Sequence, residues 1–220
     1  MSSSNGTIGA VTHFDGGVAC CMDAKLTHWN SEEKIYEFRG YSSKIVILNN
    51  LTCLMCIGDA EDCIGCYINL LTNVTNNPFR TWSTTDFADV AVSYLSSEKN
   101  NKATLVFFGF ESKSDMHKIW VVDKSGKIEI PTHWIGGSGV TFAQHDGYQN
   151  VHTKKEAIEA VVRSVNLACW KKNNTCGGPR TLVCIRSKNL KVKELQSFPH
   201  YELPFGLEDL DETERFASTF

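Results

Sequence analysis

The chain has 220 residues, of which 42% are hydrophobic, and its formal net charge is −3. This length suffices for one well-packed core and is large for a single ordinary domain. The scattered basic residues disfavour a nucleic-acid-binding surface, and the lack of 18 consecutive uncharged apolar residues disfavours a membrane span.

The first half of the chain predicts strands followed by helices. Residues 7–14 (TIGAVTHF) predict a strand, and residues 15–17 (DGG) predict a turn into a second strand, VACCMD. After a polar stretch over residues 28–34, the segments YEFRG, KIVIL and LTCLMCIG predict three more strands. A helical period runs from Asp59 to about Val74, and Thr84 or Thr85 could cap a second helix that reaches about Lys99.

The second half returns to strands. ATLVFFGF and HKIWVVD predict strands, and residues 124–127 predict a hairpin turn. A glycine-rich turn over residues 136–139 leads into a short helix, and a capping box of Thr153 and Glu156 opens a longer helix to about Lys171. TLVCIR and LKVKEL are the last predicted strands. This order predicts an α+β protein in which helices cover the outer faces of two packed antiparallel sheets.

The nine cysteines mostly lie in apolar runs, where free cysteine packs as a small hydrophobic residue. The first six residues, MSSSNG, lack the basic and apolar regions of a secretory signal. We therefore expect a cytoplasmic protein with reduced thiols rather than a disulfide framework.

Short motifs spread along the chain indicate a family. They comprise Thr7-Ile8-Gly9-Ala10-Val11, Asp23-Ala24-Lys25-Leu26-Thr27, Gly40-Tyr41-Ser42-Ser43-Lys44, Cys56-Ile57-Gly58-Asp59-Ala60, Ile135-Gly136-Gly137-Ser138-Gly139 and Cys176-Gly177-Gly178. From Thr7 to about Leu195 the chain resembles the proteasome β-type family and the bacterial ATP-dependent peptidase of the same superfamily of N-terminal nucleophile hydrolases. The stretch between Asp23 and Lys44 is a few residues longer than in the family, which a surface hairpin would tolerate. The fold implied is a four-layer αββα sandwich of two antiparallel sheets flanked by helices.

The resemblance implies roles for individual residues. Thr7 would be the nucleophile after self-cleavage between Gly6 and Thr7, and its freed α-amine, with an ordinary pKa of about 7.7–8, would be the general base. Asp23 and Lys44 would form an ion pair beside Thr7, in which the Lys44 charge lowers the proton affinity of the site. The Gly58 amide would stabilise the oxyanion, and Ser138 would hydrogen-bond the Thr7 amine.

The last motif departs from the family, which usually has Asp-x-x-Ser-Gly-Gly where this chain has residues 173–178 (NNTCGG). Asn173 supplies no carboxylate, and Cys176 is a poorer hydrogen-bond partner than serine. The departure puts the catalytic efficiency and the rate of self-processing in doubt more than the fold.

The resemblance also implies a substrate groove in which Thr27 binds peptide backbone. Its pocket is uncharged and fairly apolar, so we expect cleavage after hydrophobic residues. The lining residues implied are Leu26, Ser42, Val46, Cys56, Ala60 and Ile64.

Other interpretations remain open. Cys53-x-x-Cys56 and Cys63-x-x-Cys66 resemble a four-cysteine zinc site, although residues i and i+3 of a strand point to opposite faces. We expect no bound metal and no cofactor. The chain could also be a non-catalytic structural subunit of the same fold, or an unrelated α+β domain.

The domain organisation expected is a leader over residues 1–6, a hydrolase domain over residues 7–197 and an acidic arm over residues 198–220. Peptide and protein substrates are the expected partners, together with copies of the chain or related subunits in rings. The arm could dock on a neighbour or on an ATPase or activator partner. No nucleic-acid or membrane partner is expected.

Overall fold

The computed structural model describes residues 6–97, 102–111, 114–143, 146–171, 175–186 and 189–195. In chain order its α-helices are α1 (Ala60–Asn76), α2 (Thr84–Ser97) and α3 (Lys154–Lys171). Its strands are β1 (Ile8–Phe14), β2 (Gly17–Asp23), β3 (Lys25–Asn30), β4 (Ile35–Tyr41), β5 (Ile45–Asn49), β6 (Thr52–Ile57), β7 (Thr104–Glu111), β8 (Met116–Asp123), β9 (Gly126–Glu129), β10 (His133–Gly137), β11 (Arg180–Arg186) and β12 (Asn189–Leu195).

The strands form two five-stranded sheets and one two-stranded ribbon. The first sheet has the order β10-β1-β2-β11-β12, the second has the order β5-β6-β7-β8-β9, and β3 pairs with β4. Every pairing is antiparallel. The α+β class predicted from the sequence is therefore confirmed.

The apolar residues of the sheets alternate between two packing regions. In β6, Cys53 and Met55 belong to the cluster that joins the two sheets, whereas Leu54 packs beneath α1 and α2. In β2, Cys20 and Cys21 divide in the same way between the partner sheet and α3. This alternation follows from the period of two in a strand, so each sheet is buried on both faces.

The helix boundaries follow from side-chain caps. The Asp59 carboxylate accepts a hydrogen bond from the Glu61 amide at 2.9 Å and thereby caps α1. The Thr153 hydroxyl accepts from the Glu156 amide at 3.2 Å, and Glu156 accepts in return from the Thr153 amide at 2.8 Å, so the predicted capping box of α3 is confirmed.

The region before the strand β4 differs from the sequence-based outline, because β3 was not predicted and its second half occupies the start of the polar stretch over residues 28–34. The β3–β4 ribbon accommodates this polarity because much of its surface is exposed. The leader before Gly6 and the predicted arm over residues 198–220 lie outside the described residues. None of the helices in the described ranges combines the length and apolar composition that a membrane crossing requires.

Candidate active site

Thr7 lies immediately before β1, where the Gly6–Thr7 peptide enters the protein interior. Its side chain is 2% exposed, because the segment is covered by the 138–139 turn and by the loop before β11. The Thr7 amide donates to Ser138 Oγ at 3.1 Å, and the Thr7 carbonyl accepts from the Gly139 amide at 3.3 Å. These contacts hold both ends of the residue on the glycine-rich turn.

The Lys44 ammonium lies at the centre of the site. Lys44 precedes β5 and is 9% exposed. Its Nζ donates to Thr7 Oγ1 at 2.9 Å, to the Gly6 carbonyl at 3.0 Å and to Asp23 Oδ1 at 3.1 Å. A positive charge on a hydroxyl oxygen favours loss of its proton, and the same charge on a carbonyl oxygen favours addition to the carbonyl carbon.

Asp23, the last residue of β2, is 1% exposed and holds Lys44 in place. Besides Lys44, its carboxylate accepts from the Ile8 amide at 2.9 Å and from the Gly177 amide at 3.1 Å. Both oxygens therefore have donors, as an ionised carboxylate requires when it is buried. The structure brings Thr7, Asp23 and Lys44 together, in the arrangement that the family resemblance implies.

Gly6 is buried between the β3 strand and the loop before β11. Its amide donates to Thr27 Oγ1 at 3.1 Å. A Cβ atom added to Gly6 would lie 2.1 Å from the Thr175 carbonyl oxygen, closer than any real Cβ contact. Glycine is therefore required here by close packing of backbone on backbone.

Ser138 and Cys176 meet beside the Thr7 amide. Their Oγ and Sγ atoms are 3.6 Å apart, and Ser138 Oγ also lies 3.4 Å from the Thr7 carbonyl oxygen. Cys176 is fully buried, and this burial raises the pKa of its thiol, so the side chain remains a neutral thiol at pH 7. Asn173, the other departure from the family motif, lies outside the described residues.

Gly58 joins β6 to α1 with a φ of 103°, a backbone conformation that favours glycine. A Cβ atom added at Gly58 would lie 2.2 Å from the Lys102 carbonyl oxygen. The residue lines the same cleft as Thr7 and Lys44, in agreement with its predicted position beside the nucleophile.

The cleft next to Thr7 is a cavity of about 230 Å³ between the second sheet, α1 and the start of the β3–β4 ribbon. All six predicted pocket residues line it, whereas Thr27 is not part of the lining and binds the Gly6 amide instead. Three lining residues were not predicted from the sequence: Ser43, Cys63 and Tyr67. The helical spacing of Cys63 and Tyr67 from Ala60 places them on the cleft face of α1. The lining consists of Leu26, Ser42, Ser43, Val46, Cys56, Ala60, Cys63, Ile64 and Tyr67, besides Thr7, Lys44 and Gly58.

The four cysteines of the alternative zinc site do not converge on one point: Cys56 contacts Cys63, but Cys53 lies on the other face of the second sheet. Cys53 packs between the two sheets, whereas Cys63 and Cys66 pack between the second sheet and the helices. Burial raises the pKa of the Cys66 thiol to about 12, so this side chain packs as a neutral thiol at pH 7. Within the described ranges, no group of three or more His, Cys, Asp or Glu side chains could hold a metal ion.

A comparison with protein-family models and a search of curated proteins found no match to this chain.

Proposed function

We propose that this protein is a threonine-type endopeptidase of the N-terminal nucleophile hydrolase class, activated by its own cleavage between Gly6 and Thr7. The observation that carries the proposal is the position of the Lys44 ammonium, which contacts the Thr7 hydroxyl and the Gly6 carbonyl at 2.9 and 3.0 Å. A threonine hydroxyl, a buried cation and the carbonyl of its own preceding residue are the groups that self-cleavage requires.

The layer order supports the fold part of the proposal. Three apolar clusters pack successive layers together. The first lies between α3 and the first sheet, the second between the two sheets, and the third between the second sheet and the helices α1 and α2. This succession is the one expected for a four-layer αββα sandwich of the N-terminal nucleophile hydrolase type.

Self-cleavage would proceed through an ester. Thr7 Oγ1 adds to the Gly6 carbonyl carbon, and the developing negative charge on the Gly6 oxygen is stabilised by the Lys44 ammonium. Collapse breaks the Gly6–Thr7 C–N bond, and the amine nitrogen takes up the proton that the hydroxyl has released. Water then hydrolyses the ester, which leaves a Gly6 carboxylate and a free Thr7 amine.

The freed amine would act as general base in peptide cleavage. It would lie next to Ser138 Oγ, which contacts the Thr7 nitrogen at 3.1 Å in the uncleaved chain. The amine accepts the Thr7 hydroxyl proton as Oγ1 attacks the substrate carbonyl and then donates it to the leaving nitrogen, which leaves the acyl group as an ester on Oγ1. Water hydrolyses this ester with the amine again as base, so that the acid product leaves and the Thr7 hydroxyl is restored. The Gly58 amide would stabilise the oxyanion, with a contribution of about 3 kcal/mol typical of such donors.

The substrate preference follows from the cleft. Its lining is mostly apolar and contains one charged side chain, Lys44, which is engaged by Asp23. We propose that a hydrophobic side chain of an unfolded peptide occupies the cleft and that Thr27 binds the peptide backbone, as it binds the Gly6 amide here. Closed rings, an ATPase or activator partner and a cytoplasmic location belong to the same proposal.

The test is the intact mass of the purified protein and its hydrolysis of short fluorogenic peptides with hydrophobic P1 residues. We expect wild-type protein to lose residues 1–6 and cleave these peptides, and Thr7→Ala to retain the leader and be inactive. Thr12→Ala, a buried threonine of β1 outside the cleft, is the matched control and should be processed normally. Full activity with residues 1–6 retained would refute the mechanism, and a retained leader without turnover would favour a non-catalytic subunit.

A further inference from the structure

A buried arginine lies behind the candidate site without a role in the chemistry described above. Arg180, the first residue of β11, is 2% exposed. Its Nε donates to Asn166 Oδ1 of α3 at 3.1 Å, while its Nη1 is buried without a hydrogen-bond partner among the described residues. A buried guanidinium is costly unless a negative charge lies nearby.

The nearest strand neighbour of Arg180 supplies that charge. Arg180 lies directly opposite Asp23 in the antiparallel pairing of β11 with β2. Residues paired in this way have Cβ atoms about 4.5–5.5 Å apart on the same face of the sheet. In agreement with this position, burial raises the pKa of the adjacent Cys21 thiol to about 12, with the Arg180 charge opposing the rise and the Asp23 charge adding to it.

The buried charges of the described residues show why Asp23 is the relevant anion. Four charged side chains are buried, namely Asp23, Lys44, Glu111 and Arg180. Glu111 binds the amide and hydroxyl of Thr85 at the start of α2, so it belongs to another part of the protein. Asp23 is therefore the buried anion of the candidate site: Lys44 donates to it at 3.1 Å, and Arg180 lies opposite it in the pairing of β11 with β2.

We propose that Arg180 is a positioning residue for Asp23: its charge and its anchor to Asn166 hold the start of β11 so that the Asp23 carboxylate stays aligned with Lys44, the Ile8 amide and the Gly177 amide. Gly177 lies three residues before Arg180, so fixing Arg180 on α3 also fixes the amide that binds Asp23 Oδ2. The effect of Arg180 on catalysis rests on the proposed function, whereas its role in holding Asp23 does not.

The same charge has a consequence for the general base. The other groups around Asp23 and Arg180 are Lys44 before β5, Cys21 on β2, Cys169 on α3, Ser138 and Cys176 in the turns, and Lys25 on β3, whose Cδ would lie 3.6 Å from a Cβ atom added at Gly177. Two buried cations against one carboxylate disfavour a protonated Thr7 amine. Removal of the Arg180 charge would therefore favour the protonated amine and move the acid limb of the activity profile to higher pH.

The structural part is tested by amide hydrogen exchange measured by NMR on the uncleaved full chain carrying Thr7→Ala. Arg180→Met keeps most of the side-chain volume without the charge, and Asp23 retains Lys44 as its counter-ion in this variant. We expect the Ile8 and Gly177 amides to lose protection at least about tenfold in Arg180→Met and to keep it in Arg180→Lys. Arg186→Met, at the exposed far end of β11, is the matched control.

Unchanged protection of the Ile8 and Gly177 amides in Arg180→Met would overturn the proposal. An equal loss of protection by all amides of β1 and β7 would also overturn it, because such a loss indicates general destabilisation. If Arg180→Met does not fold, Arg180→Gln replaces it, and the same two amides decide.

The catalytic part is tested by the pH dependence of kcat/KM. We expect Arg180→Met to move the acid limb of the kcat/KM profile to higher pH by about half a unit or more. Arg180→Lys, which keeps the charge, should show the wild-type profile. An unchanged limb in an active Arg180→Met protein would reject the effect on the base. No turnover in wild-type protein would instead reject the peptidase proposal, and the amide measurement would still decide the role of Arg180.

Discussion

Replacement of Lys44 by alanine gives the strongest test of the candidate site. The change removes the three hydrogen bonds that Nζ donates to Thr7 Oγ1, the Gly6 carbonyl and Asp23 Oδ1. Hydrogen bonds that involve a charged group contribute about 1.5–3 kcal/mol each. If the contact with the reacting oxygens is worth about 3 kcal/mol in the transition state, self-cleavage and peptide hydrolysis should each slow by more than about a hundredfold.

The loss of stability expected for Lys44→Ala depends on the hydrogen bonds that Asp23 retains in this variant. Removing one member of a buried ion pair typically costs about 3–5 kcal/mol. Asp23 retains the Ile8 and Gly177 amides, so the lower end of this range applies. At about 2–4 °C per kcal/mol for a chain of this size, the Tm should fall by about 6–12 °C, which leaves the protein folded at 25 °C.

The assay combines three measurements on wild type, Lys44→Ala and Lys44→Arg: intact mass, hydrolysis of fluorogenic peptides with hydrophobic P1 residues, and thermal melting. Lys44→Arg should fail as well, because the longer planar guanidinium does not fit where the compact ammonium contacts both oxygens in this buried site. Lys155→Ala, at an exposed position of α3, is the control and should change stability by less than about 0.5 kcal/mol. Turnover close to that of wild type in either Lys44 variant would show that Lys44 is only a structural residue.

Three further predictions concern the glycine bend, the cysteines and the assembly. Gly58→Ala places a Cβ atom 2.2 Å from the Lys102 carbonyl oxygen at a φ of 103°, so we expect the free energy of unfolding to fall by about 1–3 kcal/mol and the activity to be lost. A melting curve equal to that of wild type would contradict this prediction. Elemental analysis should find no stoichiometric zinc, and a zinc signal that disappears in Cys53→Ser or Cys63→Ser would revive the zinc reading. Light scattering should find a large closed oligomer, because a groove that cuts unfolded chains must be kept from folded proteins; a monomer that cleaves peptides at physiological salt would refute this.

Most elements of the fold could be predicted from the sequence because their signals are local, but β3 and β10 were not, and the glycines that end β10 were assigned to a turn. Thr153 and Glu156 form a capping box within three residues, and the alternation of β6 places Cys53 and Cys56 on opposite faces without any knowledge of their neighbours. The ribbon strand β3 was less clear because most of its described residues are only partly buried, so their apolar and polar positions do not alternate sharply.

The candidate site depends on contacts between distant parts of the chain, and these have no local signal. Thr7 and Ser138 are 131 residues apart in sequence, and their hydrogen bond could be anticipated only from the family resemblance. Arg180 was missed altogether, because an arginine at the start of a strand has the same local pattern whether it is exposed or buried. Its burial arises from the pairing of β11 with β2 and from the packing of α3, which the periodicity of one segment cannot reveal.

The packing around Gly6 has a practical consequence for producing the protein. Position 6 accepts only a glycine because the Thr175 backbone occupies the space that a side chain would need. This steric requirement applies to the uncleaved chain, before self-cleavage takes place. An affinity tag or a fusion partner placed ahead of a terminal glycine would present the same junction to Thr7. On the proposed mechanism, such a fusion would be released by the protein itself without an added protease, and the released tag would report each completed maturation event one for one.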